Sequence, residues 1–192
     1  METLKPGSIT LDFLEKLFRN KSKVSLDIAL KDKVEKAAKI VEDAARGNSP
    51  VYGVNTGFGK LANKIIPHED REKLQKNLVL SHCSGVGEPL QEDVTRLMMI
   101  LKIISLSFGA SGVKWSTINQ IEKIVNSDIV PEIPHQGSVG ASGDLAPLAH
   151  MAAVMIGEGW AYYKGEKVTG GEALKKAKID PIILGPKEGL AL

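Results

Sequence analysis

The chain has 192 residues, of which 43% are hydrophobic and 25% are charged, and its formal net charge is +2. Such a length can form one ordinary domain with a substantial core, and the composition is typical of a soluble globular protein. The small net charge, with no basic cluster, argues against a nucleic-acid-binding protein. We therefore expect no nucleic-acid partner.

The sequence also argues against a membrane or secreted protein. The most apolar stretch, near 97–108, is interrupted by Lys102 and two serines and is too short to span a bilayer. The first residues, Met1-Glu-Thr-Leu-Lys-Pro6, contain no hydrophobic signal region. The single cysteine, Cys83, excludes an internal disulfide network and suits a reducing compartment. These features predict a cytoplasmic protein.

Apolar residues recur at helical spacing along much of the chain. Ser25 is the predicted cap of a first helix whose apolar positions continue to Gly47. Further helices are predicted over about 69–82, 91–108, 117–125 and 144–156. The pattern is typical of a mainly α protein, and no linker divides residues 1–192, so we predict a single, mostly helical unit.

One segment near the end of the chain departs from the helical pattern. Residues 160–168 predict a small β-hairpin, the only one in the chain, with a turn at Gly165-Glu166. Thr169 and Glu172 then have the spacing of a capping box ahead of a short helix.

The tetrapeptide Gly-Ala-Ser-Gly occurs twice, at 109–112 and at 140–143. The first copy follows a long apolar run and predicts a helix that ends at glycine. The second copy leads into Asp144, a good N-cap, and Pro147 is tolerated in the first turn that follows. The second copy therefore precedes a predicted helix N-terminus, where free amides and the helix dipole favour negative charge.

Small residues in the second copy allow unusual backbone chemistry. The amide nitrogen of Gly143 can approach the carbonyl carbon of Ala141, and ring closure with loss of water from Ser142 would leave an exposed methylene electrophile. Ordinary side chains supply nucleophiles, acids and bases but no such electrophile. The spacing does not fit a dinucleotide-binding motif, a P-loop or a nucleophile elbow. From the residues alone, a flexible loop before a helix is an equally good interpretation.

Residues 137–150, Gly-Ser-Val-Gly-Ala-Ser-Gly-Asp-Leu-Ala-Pro-Leu-Ala-His, resemble the signature of the aromatic amino-acid ammonia-lyases. Three more segments agree in the family's order: Tyr52-Gly-Val-Asn-Thr-Gly-Phe-Gly59, Asn77-Leu-Val-Leu-Ser-His-Cys-Ser-Gly-Val-Gly-Glu-Pro-Leu90 and Pro186-Lys-Glu-Gly-Leu-Ala-Leu192. The resemblance implies the N-terminal part of an all-helical lyase fold. It also implies a 4-methylidene-imidazol-5-one group formed autocatalytically from Ala141, Ser142 and Gly143, with no external cofactor and no metal.

The resemblance assigns roles to further residues. Tyr52 matches the catalytic tyrosine that takes the substrate's β-hydrogen, and nearby glycines such as Gly59 suit a closely approached loop. Ser81 and His82 match the pair that faces the substrate ring, and they are similar to the pair of the histidine-specific members. An imidazole can hydrogen-bond another imidazole. Asp144 is expected to support the turn that cyclises.

The predicted activity of the complete enzyme is therefore deamination of L-histidine to trans-urocanate and ammonia. The alternatives are a phenylalanine or tyrosine ammonia-lyase or aminomutase, and a non-catalytic helical interaction module. Family members are homotetramers whose sites combine several subunits, and a later segment supplies the arginine that holds the substrate carboxylate. We therefore expect the isolated chain to have little or no activity and to keep its triad uncyclised.

The remaining histidines and the cysteine are expected to be structural. His68, His135 and His150 have no assigned part in the chemistry, although the last belongs to the signature. Cys83 is predicted to be a buried filler and not a nucleophile.

Overall fold

The computed structural model describes residues 1–138 and 145–192, and its regular structure is mainly helical. The helices are α1 (Leu11–Asn20), α2 (Lys31–Arg46), α3 (Arg71–His82), α4 (Glu92–Leu106), α5 (Trp115–Val125), α6 (Leu145–Met155), α7 (Gly170–Lys176) and α8 (Glu188–Ala191). The strands are β1 (Glu2–Leu4), β2 (Val24–Leu26), β3 (Val86–Pro89), β4 (Ile129–Pro131), β5 (Pro134–Gln136), β6 (Trp160–Tyr163) and β7 (Glu166–Thr169). Short 3₁₀ turns occupy Ile28–Leu30, Gly59–Leu61 and His68–Asp70.

Helices α4 and α5 form the centre of the core. α4 is apolar around most of its circumference, so it must pack against several neighbours. It contacts α1 and α5, while α5 also contacts α2 and α6, and α3 packs against α6 and α8. Met99, Ile100 and Ile103 of α4 are buried against Ile118 and Ile121 of α5. Within the described residues, no helix has the length and apolar character needed to cross a bilayer.

Most of the predicted helices are confirmed. The ranges 69–82, 91–108 and 117–125 correspond to α3, α4 and α5, and the described part of 144–156 forms α6. The capping box is also present, since the Thr169 hydroxyl accepts from the Glu172 amide at 3.3 Å and the Glu172 carboxylate accepts from the Thr169 amide at 3.0 Å. The predicted N-cap Asp144 lies outside the described residues.

The prediction that Ser25 caps the helix that continues to Gly47, which is α2, is wrong. Ser25 lies in β2, which pairs in parallel with β1, and its register partner is Thr3. Asp27 makes the capping contact instead, because its carboxylate accepts from the Ala29 amide at 3.0 Å. A 3₁₀ turn follows, and α2 begins only at Lys31.

The β-hairpin is confirmed, but it is not the only β structure. β6 and β7 are antiparallel, and the turn between them falls at Lys164 and Gly165, whose φ values are 52° and 83°. β4 adds a third strand, with Ile129 opposite Tyr163, while β1–β2 and β3–β5 form two separate pairs. These extra strands have only three or four residues, too few for a clear alternation of apolar and polar positions.

The first Gly-Ala-Ser-Gly copy lies at a helix end, as predicted. α4 ends at Leu106, and Gly109 and Gly112 follow with φ values of +67° and +72°. Only glycine adopts such left-handed backbone conformations without strain. The second copy lies outside the described residues.

A buried carboxylate fixes the last helix to the rest of the fold. Glu188 is 2% exposed and accepts hydrogen bonds from the Lys114 amide at 2.9 Å, the Gly185 amide at 2.7 Å and the Thr117 hydroxyl. The next amide, that of Gly189, donates to Gln75 Oε1 at 2.9 Å. α8 is thereby joined to α5 and to α3.

Replacing Glu188 with alanine should therefore lower stability strongly. Each buried donor left without an acceptor costs about 1–3 kcal/mol, so we expect Glu188→Ala to lower the free energy of unfolding by at least about 3 kcal/mol. Glu15→Ala is the matched control, because Glu15 pairs with Arg19 at 2.8 Å on the exposed surface of α1. Its loss should stay below about 1 kcal/mol. Urea unfolding followed by circular dichroism tests this, and equal losses would contradict the role given to Glu188.

Candidate active site

Tyr52 lies in the loop between α2 and the 3₁₀ turn that begins at Gly59. Its side chain is 57% exposed, and its ring packs edge-on against Phe58 with the centroids 5.7 Å apart. The loop therefore carries a tyrosine whose ring is held on one side and is otherwise accessible.

The main chain on both sides of Tyr52 is held by buried polar side chains. Asn55 and Thr56 are fully buried. The Val51 amide donates to Asn55 Oδ1 at 2.7 Å, and the Gly53 amide donates to Thr56 Oγ1 at 3.3 Å. Neither residue has a role predicted from the sequence, although both belong to the motif that begins at Tyr52.

The glycines of this loop are required for different reasons, some for lack of space and one for its backbone conformation. Gly53 has φ +69°, and a Cβ there would lie 2.8 Å from Leu190 Cδ2, while a Cβ at Gly57 would lie 2.6 Å from Leu61 Cβ. Neighbouring side chains therefore leave no room for a Cβ atom at either position. Gly59 has φ +56° with open space around it, so glycine is favoured there by the left-handed backbone conformation and not by lack of space.

His82 is the last residue of α3, and its ring is oriented by a hydrogen bond to the main chain. Nδ1 lies 2.8 Å from the Leu78 carbonyl oxygen. Because a carbonyl only accepts, this contact favours the neutral tautomer with the proton on Nδ1, in which Nε2 is an acceptor. Ser81 also donates to the Leu78 carbonyl, at 2.9 Å, and its hydroxyl lies 3.2 Å from His82 Nδ1.

His82 opens onto a pocket of about 120 Å³ formed by α3, α4, α6 and α8. Most of the lining is apolar and includes Leu78, Leu145 and Leu190. Leu145 directly follows the segment 139–144, and Leu190 is also the side chain that contacts Gly53. The pocket thus joins His82 to the start of α6, and one of its lining side chains, Leu190, also lies beside the loop of Tyr52. Ser81 is not part of its lining.

Lys102 also lines this pocket, which the sequence did not predict. Burial lowers the pKa of its ammonium group, and the described residues offer it no carboxylate partner. An unpaired cation in apolar surroundings favours a nearby anionic or polar group. A lysine within an apolar run does not reveal which way it faces, so only the structure could identify this residue.

Gly137, which lies before the segment 139–144, is close to Ala146, which lies after it, and to Gly85, which follows α3. A Cβ at Gly137 would lie 3.2 Å from Ala146 Cβ and 3.4 Å from Gly85 Cα. The Gly85 amide donates to His150 Nε2 at 3.2 Å, which agrees with the structural role predicted for His150. Ala141, Ser142, Gly143 and Asp144 themselves lie outside the described residues, but the chain on either side of them is held at the end of α3.

Cys83, next to His82, has the properties of an unreactive thiol. Its Sγ donates to the Val79 carbonyl at 3.3 Å, and burial raises its pKa to about 11. Since the thiolate is the nucleophilic form, such a thiol is a poor nucleophile at neutral pH.

The model of the aromatic amino acid lyases matches residues 9–192 of the chain. The chain belongs to this family. It is 55% identical over 189 residues to a histidine ammonia-lyase of Bradyrhizobium diazoefficiens, an alignment that covers 98% of the chain and 36% of that protein. The chain therefore spans about a third of the length of that lyase.

Solved structures of the family share the fold. The histidine ammonia-lyase of Trypanosoma cruzi is 35% identical with a TM-score of 0.91, over 100% of this chain and 37% of that one. The phenylalanine aminomutase of Pantoea agglomerans is also 35% identical, with a TM-score of 0.93 over 100% of this chain and 37% of that one. The mainly α architecture is thus shared with about a third of each of these two chains, whose names describe different reactions.

The contact between His150 and Gly85 predicts a pH dependence of stability. Burial lowers the pKa of the His150 imidazole, and the charge of Glu132 opposes this only in part. The folded state thus favours the neutral ring, so this stability is complete above the ordinary histidine pKa of about 6.5 and is lost as the pH falls below it. We expect His150→Gln, which keeps an acceptor but cannot titrate, to flatten the decrease in thermal midpoint between about pH 7 and 5. An unchanged pH profile would contradict this.

Proposed function

We propose that the enzyme to which this chain contributes removes ammonia from L-histidine and releases trans-urocanate. The main support is the position of His82, whose Nε2 is available as an acceptor at the edge of a mostly apolar pocket. The 55% identity to a histidine ammonia-lyase supports the same substrate.

The reaction has two chemical difficulties. The β-hydrogen of an amino acid is barely acidic, and the amino group is a poor leaving group. In the proposed enzyme, a methylidene-imidazolone made from Ala141, Ser142 and Gly143 would supply the electrophile that assists departure of the amine. The close approach of Gly137 to Ala146 supports this assignment, because the residues on both sides of the triad are held together.

The start of α6 can contribute electrostatically. Its free amides and helix dipole stabilise negative charge at the N-terminus, which is the arrangement of an oxyanion hole. We propose that Asp144, immediately before α6, supports the turn that carries the triad.

Tyr52 is the proposed base for the β-hydrogen. Its side chain is largely exposed, and its loop packs through Gly53 against Leu190, which lines the pocket. A base must be held within hydrogen-bond reach of the proton that it removes, and a loop with a fixed main chain meets this requirement.

His82 is the proposed specificity residue, with Ser81 in support. The Nδ1 contact leaves Nε2 to accept from the N–H of a substrate imidazole, and Leu78 and Leu190 offer apolar contact in the same pocket. A leucine in place of His82 would offer apolar contact only, as an aromatic hydrocarbon ring requires. Phenylalanine or tyrosine chemistry is the second candidate, supported by the apolar lining and by the likeness to a phenylalanine aminomutase.

We further propose that the complete enzyme is a cytoplasmic homotetramer whose sites combine several subunits. The pocket of about 120 Å³ holds Lys102 without a carboxylate partner among the described residues, as expected of a site that other segments complete. A non-catalytic role remains the alternative for the isolated chain.

Substitution of His82 tests the substrate assignment. In the complete enzyme, His82→Leu should lower kcat/KM for L-histidine by at least about 100-fold, because the substrate imidazole loses its polar partner, while L-phenylalanine is much less affected. Urocanate and cinnamate absorbance measure the two activities. His68→Leu is the matched control, since that histidine is exposed in a 3₁₀ turn outside the pocket. Unchanged selectivity of His82→Leu would refute the assignment.

Intact mass tests the prosthetic group and distinguishes the two triads. The complete enzyme should be lighter than its sequence by two waters, Ser142→Ala should remove the difference, and Ser111→Ala should leave it intact. We expect the isolated 192-residue chain to show no loss, since cyclisation requires a pre-organised turn. A loss that depends on Ser111 would overturn the assignment of the triad.

A further inference from the structure

We infer that Thr56, together with Asn55, is a positioning residue for Tyr52: the two buried side chains fix the amides on either side of the tyrosine and so direct its phenol. This inference rests on the proposed role of Tyr52 as the base.

Asn55 fastens the loop to the end of α2. Its Nδ2 donates to the Ser49 carbonyl at 2.9 Å and to the Gly47 carbonyl at 3.2 Å, while its Oδ1 accepts from the Val51 amide. A buried amide is costly unless its polar atoms are paired, and this side chain pairs on both sides. The position of Val51 is therefore set by Asn55.

Thr56 fastens the other side of the tyrosine. Its Oγ1 accepts from the Gly53 amide at 3.3 Å and donates to the Gly57 carbonyl at 3.1 Å. Gly53 has φ +69°, one of several backbone conformations that glycine adopts without strain, so the hydrogen bond from its amide to Thr56 is needed to select it. Thr56 is itself held by an antiparallel bridge to Ile65.

Tyr52 depends on this support because its own side chain has few contacts. Its ring packs on Phe58 and is otherwise exposed to a large extent, so its direction is set mainly by the main chain between Val51 and Gly53. A displacement of about 1 Å in a catalytic group can cost about 100-fold in rate. The hydroxyl of Thr56 is then required for the rate of the chemical step, and not for substrate binding.

Two substitutions of Thr56 in the complete enzyme test this. Thr56→Val keeps the shape and removes the hydroxyl, and it should lower kcat for L-histidine by about 10- to 100-fold with KM unchanged within about threefold. Thr56→Ser retains the hydroxyl and should restore kcat to within about threefold of the parent enzyme.

Thr95→Val is the matched control. Thr95 is also fully buried, but in α4, and its Oγ1 has no hydrogen-bond partner among the described residues. This variant should leave kcat unchanged. If it loses as much kcat as Thr56→Val, the effect is a general one of core substitution and the inference is overturned. Should Thr56→Val not fold, Thr56→Ala carries the same expectation.

A double-mutant cycle separates positioning from a merely structural role. In the Tyr52→Phe background, Thr56→Val should change the residual kcat by less than about twofold, because the two residues act through one group. An equal loss in both backgrounds would overturn the inference. If Tyr52→Phe alone keeps the parent kcat, the proposed base itself is wrong; if it loses kcat while Thr56→Val does not, only the positioning role fails.

Discussion

The arrangement of the pocket depends on the hydrogen bonds to the buried carboxylate of Glu188. Removing a carboxylate from water is costly. The Gly185 amide just before α8 and two donors at the start of α5, the Lys114 amide and the Thr117 hydroxyl, offset this cost, and the two from α5 do so only while α8 stays in place. With α8 fixed, Leu190 meets Gly53 on one side and lines the pocket of His82 on the other. This one buried carboxylate thus holds in place the side chain that lies between the loop of Tyr52 and the pocket of His82.

Hydrogen bonds between polar side chains and the main chain also hold the loops and helix ends that carry the proposed site residues. Asn55 and Thr56 hold the loop of Tyr52, and His150 holds Gly85 behind His82. Each contact joins a buried or half-buried polar side chain to a main-chain amide. Loops give access to a substrate but are mobile by default, so buried hydrogen bonds supply the order that regular structure would otherwise provide.

Periodicity predicted α3, α4 and α5 because these helices are long and their apolar positions repeat. It could not predict β1–β2 or β3–β5, since strands of three or four residues show no clear period and pair with distant segments. Motifs selected Tyr52 and His82, and the structure adds the pocket beside His82. The roles of Asn55, Thr56 and Lys102 depend on how deeply each side chain is buried and which way it points. The identity of a polar residue in the sequence gives neither.

The two Gly-Ala-Ser-Gly copies illustrate why position in the fold matters more than composition. The copy at 109–112 follows the C-terminal end of α4, where the helix dipole is negative, and the Ser111 carbonyl accepts from Lys187 Nζ at 2.7 Å. The copy at 140–143 precedes α6, whose N-terminal end has the opposite field. A group at 140–143 that gains negative charge as it reacts is stabilised by the field at the start of α6. The same four residues can therefore end a helix at one place and, at the other, serve as the proposed source of an electrophile.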